Sequence, residues 1–140
     1  MTQRIIYNAD LMKIMNIFEN ITGTKLKDCF IDNNSLLVFV VQQNEIGKAI
    51  GRNGVNIRKM EYILKRKIKI VEFNPEITEF VKSLIMPLQA VDINVREKIV
   101  YIRGPDTKTR GMLIGRESQN LKNYEEIIKR YFDIEHIKVV

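Results

Sequence analysis

An α+β fold made of two copies of one small unit is predicted by three observations. A segment recurs 64 residues further on without a gap, apolar spacing switches repeatedly between helical and strand periods, and one order of elements is read twice along the chain. Residues 46–66 laid over 110–130 give nine identities: Gly47/Gly111, Ile50/Ile114, Gly51/Gly115, Arg52/Arg116, Asn56/Asn120, Glu61/Glu125, Ile63/Ile127, Lys65/Lys129 and Arg66/Arg130. A repeat of about 65 residues buries little core alone, so the two units are expected to pack on each other.

Asn8 is placed to cap a helix with the apolar stripe Leu11, Ile14, Met15, Phe18 and Ile21, and Gly23 stops it. Residues 25–32 and the β-rich run 36–41 form a hairpin around Asp32-Asn33-Asn34-Ser35, side chains that readily hydrogen-bond their own backbone. Asn44 is expected to cap a short helix reaching Ile50. The turn at 51–54 reverses the chain, and a second helix sets Ile57, Met60, Ile63 and Leu64 on one side. Residues 67–73 alternate charge with apolar side chains, as a strand with one wet face does.

The second unit replays this order. Asn74 is read as its cap with Pro75 at the first helical position, Ile77, Phe80, Val81, Leu84 and Ile85 as its stripe, and Pro87 as its stop. Strands follow over 90–95 and 99–103, joined by Arg96-Glu97-Lys98. Asp106 caps a short helix, the turn at 115–118 follows, and Leu121, Tyr124, Ile127, Ile128 and Tyr131 mark a long helix before a closing strand over 134–140. The expected domains are 1–73 and 74–140.

The net charge of +6 is concentrated. Between residues 46 and 70 stand Lys48, Arg52, Arg58, Lys59, Lys65, Arg66, Lys67 and Lys69 against Glu61, so the rest of the chain is near neutral. Charge focused in this way suits a polyanion. A solvated helix face is the plainer use of such a run, but its overlap with a glycine-bracketed turn favours a ligand. With one cysteine, Cys29, and one histidine, His136, neither a disulfide framework nor a zinc set can be assembled; both are read as packing or edge residues, and no metal or cofactor is expected. No apolar run approaches bilayer length and the start lacks a secretory h-region, so a soluble, cytoplasmic protein is expected. The aromatic residues Tyr7, Phe18, Phe30, Phe39, Tyr62, Phe73, Phe80, Tyr101, Tyr124, Tyr131 and Phe132 mostly fall at core-like positions, not as stacking platforms.

Chemistry converges on Gly51-Arg52-Asn53-Gly54. Glycine at both ends lets a loop lie flat against another backbone, and a helix starting just after it turns free amides and partial positive charge toward a phosphate. Arg52, Lys48 and Arg58 supply full charges with Lys59 extending the basic flank. Ile46, Ala49, Ile50 and Ile57 are expected to wall a shallow groove for bases.

The run Ala49-Ile50-Gly51-Arg52-Asn53-Gly54-Val55-Asn56-Ile57 resembles the Ile-Gly-x-x-Gly-x-x-Ile signature of KH domains, which clamp about four single-stranded nucleotides. The extra helix and strand ahead of each glycine turn look like the type II arrangement. The resemblance implies two tandem type II KH domains, each a three-stranded sheet packed against helices. A bare pair of such units is similar to the archaeal NusA-like transcription termination and antitermination factors; the polymerase-binding and OB-type domains of bacterial NusA have no counterpart in these residues. The implied partners are single-stranded nascent RNA and RNA polymerase, the implied state is a monomer, and no catalysis is implied.

The second loop, Ile114, Gly115, Arg116, Glu117 and Ser118, departs from that signature through a negative charge and the loss of the second glycine. Two readings stay open: RNA contact carried by Arg116 and Lys122, or a structural turn in which Ser118 serves as N-cap. Nucleotide hydrolysis is disfavoured, because the Gly-Lys-Ser/Thr ending of a P-loop and a magnesium-holding acidic pair are both missing. His136 has no partner for nucleophilic chemistry. A KH-type factor in ribosome assembly or RNA processing, and a scaffold pairing through hairpin edges, are the remaining alternatives.

Overall fold

The computed structural model describes residues 8–140, which fall into two compact units, one through Asn74 and one from Pro75. Tyr7 and the residues before it lie outside the described residues.

In the first unit, α1 spans Ala9–Thr22, with the Asn8 side chain accepting from the Leu11 amide at 2.7 Å and Gly23 ending it at φ 69°. Strands β1 (Leu26–Ile31) and β2 (Leu37–Val41) pair antiparallel. The turn between them forms as its residue types predict: Asp32 Oδ1 accepts from the amides of Asn34 and Leu36, each at 2.9 Å. Strand β3 (Ile68–Glu72) then pairs parallel to β2, Phe39 opposite Ile70. A parallel pair requires a crossover, which α2 (Ile46–Ile50) and α3 (Val55–Leu64) provide. With β2 central in the order β1-β2-β3, the helices pack on one face of the sheet around Phe18, Cys29, Leu37, Phe39, Val41, Ala49, Met60 and Ile70. Phe18 stacks on Phe39 with ring centres 4.2 Å apart.

The second unit has α4 (Ile77–Ile85), β4 (Asp92–Arg96), β5 (Ile99–Arg103), α5 (Thr107–Ile114), α6 (Gln119–Lys129) and β6 (His136–Val139). Its sheet, ordered β4-β5-β6, repeats the antiparallel then parallel pairing. Phe80 of α4 meets Tyr131 edge-on at 5.3 Å and Phe132 at 5.6 Å. The α+β class and the twice-repeated element order are those expected.

Several local expectations are corrected. Asn44 is not a cap: its φ is 69°, and Glu45 takes the capping position of α2 without a side-chain bond. Helix α4 starts two residues after Pro75, with Glu76 in the capping position and extended backbone there. The wet face expected of β3 is interrupted by Val71, which is fully buried, as are Val38 and Val40 beside it on β2. Lys69 on that face carries a pKa lowered by burial. The β4–β5 link is a two-residue turn in which Glu97 and Lys98 both have positive φ, so Arg96 belongs to the strand.

Repeat identities acquire structural reasons here. Glu61 Oε2 accepts from the amide of Ile68 at 3.2 Å, and Glu125 Oε2 accepts from that of Ile137 at 2.9 Å. In each unit a helix carboxylate thus anchors the third strand.

Candidate nucleic-acid interface

Between α2 and α3 the chain makes a tight turn over Arg52–Gly54, entered through Gly51 at φ 79°, ψ 167°. Asn53 (φ 56°) and Gly54 (φ 75°) are left-handed, and the Gly54 amide donates to the Gly51 carbonyl at 3.1 Å. Two independent causes demand glycine at 51. Its φ is positive, and a Cβ there would stand 2.9 Å from Asn56 Nδ2 and from a Val55 methyl. Asn56 cannot simply withdraw, because its Nδ2 donates to the Lys48 carbonyl at 3.1 Å and so ties α3 back to α2. At Gly54 the nearest atom is 3.4 Å away, so only φ favours glycine.

The result presents Arg52 and Asn53 to solvent at the start of α3, where the helix dipole is positive, while the amides of Gly54 and Val55 already donate to the Gly51 and Arg52 carbonyls and are not free as the sequence suggests. Ile46, Ile50 and Ile57 are half-buried against the core and flank the turn. Ala49 is corrected: it is fully buried within the core and lines no groove, its small size instead letting α2 pack closely on the sheet. Arg58 donates to the Asn53 carbonyl, so it braces the loop with its guanidinium. Lys48 is exposed and lies over the end of α1, its Cε 3.4 Å from where a Cβ on Gly23 would stand. Lys59 is exposed.

The second turn reproduces this backbone. Gly115 has φ 75°, ψ 173°, Glu117 φ 55° and Ser118 φ 60°, and the Ser118 amide donates to the Gly115 carbonyl at 3.2 Å. Asn120 Nδ2 donates to the Met112 carbonyl at 2.9 Å, the counterpart of the Asn56 tie, and a Cβ on Gly115 would lie 2.8 Å from it. Ser118 does not cap α6 with its side chain; it stands left-handed in the position of Gly54. Arg116, Glu117 and Lys122 are exposed, and Ile114 is half-buried.

Two features were missed in the residue pattern. Asn56 and Asn120 were visible as a repeat identity, yet their role as ties between helices depends on a carbonyl eight residues back. Tyr62, counted with core-like aromatics, is 84% exposed. Among the described residues no group of His, Cys, Asp and Glu side chains could hold a metal ion, and no helix is long and apolar enough to cross a membrane. His136 opens β6 on the sheet edge, 3.9 Å from Glu125.

The chain matches no protein-family model. A probable transcription termination protein NusA of Methanococcus vannielii is 30% identical over 98% of this chain and 80% of the relative. The protein of the same name from Methanocaldococcus jannaschii is 29% identical over 94% of the chain and 72% of its own length, and that from Thermoplasma acidophilum 22% identical over 96% and 95%. None of these names describes a catalysed reaction. The crystal structure of APE1850 superposes with a TM-score of 0.76 at 28% identity, covering 96% of this chain and all of that one. Whole-length similarity of this kind, in sequence and in fold, places the chain in the family of archaeal NusA-like transcription termination proteins.

Proposed function

We propose that this protein binds single-stranded RNA, the nascent transcript, and regulates transcription termination or antitermination by gripping it with the loop Gly51-Arg52-Asn53-Gly54. One observation carries the reading: a left-handed, glycine-ended turn holds Arg52 and Asn53 out to solvent at the start of α3, inside the segment that contains the chain's charge excess. Phosphate oxygens would lie at the positive end of the α3 dipole beside Arg52, while unpaired bases rest on Ile46, Ile50 and Ile57. Lys48 and Lys59 extend the field along the strand, and Arg58 keeps the loop in shape. The second loop, Gly115, Arg116, Glu117 and Ser118 with Lys122, is a weaker contact of the same form. The protein acts in the cytoplasm as a monomer beside RNA polymerase, without catalysis, its domains dividing at residues 73 and 74.

Fluorescence anisotropy with a labelled unstructured oligoribonucleotide and a duplex of equal length tests this. The single strand is expected to bind more tightly, because stacked pairs cannot enter the flank beside Ile50 and Ile57. Contact with roughly four to six phosphates would give a log–log salt slope of about −3 to −4. Equal affinity for both probes, or a slope near zero, would remove the proposal.

A further inference from the structure

The outer face of α3 is unlike that of its counterpart. Tyr62 is 84% exposed and Ile63 49% exposed, and Val55, next to the loop, is also exposed. At 3.6 residues per turn, Val55, Lys59, Tyr62 and Ile63 share one stripe on the side of the helix away from Met60 and Leu64, which face the core. In α6 the matching positions are Gln119, Asn123, Glu126 and Ile127, of which Asn123 and Ile127 are buried. The repeat therefore keeps the helix and changes what its outer stripe offers: an open aromatic and apolar surface in the first unit, a carboxylate and covered residues in the second.

Charge decides what such a surface fits. Lys59 lies within the stripe, and Lys65, Arg66 and Lys67 follow at its far end, while Glu61, on another side of α3, is occupied with the Ile68 amide and lies 3.8 Å from Lys67 Nζ. Arg66 donates to the Ser35 carbonyl at 2.9 Å, which fixes its charge close to the helix end. An exposed aromatic ring among cations is how sequence-tolerant single-strand binders seat a base beside a phosphate track. An apolar protein partner would instead favour a stripe without this surplus of lysine and arginine.

We propose that Tyr62 is a base-stacking platform for RNA leaving the loop at 51–54, with Lys59 and the Lys65–Lys67 cluster holding its phosphates, so that the first unit grips a longer strand than its glycine loop alone can reach. The proposal rests on the loop reading above. Helix geometry sets Tyr62 about 10 Å beyond Val55 along α3, a span of about two further nucleotides, so a tetranucleotide with all four units engaged at the loop leaves none for Tyr62.

The chain contains no tryptophan, so Tyr62→Trp installs a unique fluorophore at the proposed contact. Oligoadenylates of four and twelve nucleotides are titrated into the full chain. The indole emission is expected to be quenched by the twelve-mer and unaffected by the four-mer. Tyr62→Ala should weaken the twelve-mer roughly ten-fold and leave the four-mer unchanged, with Tyr62→Phe restoring binding. Unchanged twelve-mer affinity, equal loss with both lengths, or loss of polymerase association with RNA affinity intact would each overturn the proposal. Arg52→Asp with Asn53→Asp reports separately on the loop: four-mer binding that survives it sinks the loop reading, whereas the length-dependent Tyr62 effect judges the platform.

Discussion

The turns at 51–54 and 115–118 have nearly the same backbone and a different charge pattern. Their entry glycines differ by only a few degrees in φ, at 79° and 75°, and their next-to-last residues are both left-handed, at 56° and 55°. Yet the first carries Arg, Asn and Gly, the second Arg, Glu and Ser. Around them, residues 110–134 hold five basic side chains against four acidic ones, whereas 46–70 hold eight against one. The difference teaches that loop shape here is set by the entry glycine and the asparagine tie, Asn56 or Asn120, while affinity for a polyanion is set by the residues between. One backbone shape here carries two different charge patterns.

The largest expected effect follows from placing charge where phosphate would lie. Arg52→Asp with Asn53→Asp is expected to lower single-stranded RNA affinity roughly ten- to hundred-fold, since each charge-assisted contact is worth about 1.5–3 kcal/mol. Stability should change little, because both residues are exposed and the glycines are untouched. Arg116→Asp, already beside Glu117, should cost less. Anisotropy at one fixed salt concentration, with thermal melts as control, measures both; a greater loss from Arg116→Asp would reverse the ranking of the loops.

Stability separates the two glycine positions next. Gly51→Ala meets both a positive φ and the 2.9 Å approach to Asn56 and Val55, and should cost about 3 kcal/mol. Gly54→Ser meets only the backbone preference, as its clear surroundings and Ser118 at the equivalent position indicate, and should cost about 1 kcal/mol. Denaturant melts giving equal losses would show that the Asn56 tie does not hold the turn.

A smaller gain is expected from making the second loop like the first. Asparagine and glycine tolerate the left-handed region that Glu117 and Ser118 occupy, so Glu117→Asn with Ser118→Gly should stabilise by about 1 kcal/mol. Removing the carboxylate should also raise RNA affinity a few-fold, provided that loop touches RNA. Higher stability with unchanged affinity would assign the second turn a structural role.

How much of this could be read from residues depends on how local its cause is. The α1 cap at Asn8, the Asp32 turn and the cap at Asp106 each satisfy backbone groups within four residues, and each formed as expected. The caps assigned to Asn44, Asn74 and Ser118 failed because the residue type was right while the backbone path was set from farther away, through a left-handed residue or a later helix start. Ala49 and Tyr62 were misread for a related reason: helical spacing says which residues share a face, but burial depends on what the sheet and neighbouring helices bring to that face. The loop itself was legible because Gly51, Gly54 and Gly115 stand where φ is positive, although Asn53, Glu117 and Ser118 adopt that region without being glycine.

The smallest expected effect separates the second unit from the first by pH. Asp106, which caps α5, has its carboxyl held below the ordinary 3.8, first by the bond it accepts from the Thr109 amide at 2.6 Å. Asp133 is lowered in the same way by its bond from Lys98, 3.0 Å away. A depressed carboxylate pKa contributes stability that is present above the unfolded value and is lost as pH falls through the folded one. Melting temperatures measured from pH 6 down to pH 2 should therefore fall less steeply at the acid end for Asp106→Asn with Asp133→Asn than for the unaltered chain. Asparagine at 106 keeps the cap, so any loss at pH 6 should come from the Lys98 pair and be slight. In the first unit the matching helix, α2, has no side-chain cap to titrate. Identical acid slopes for the two proteins would mean that neither carboxylate contributes to the acid lability of the second unit.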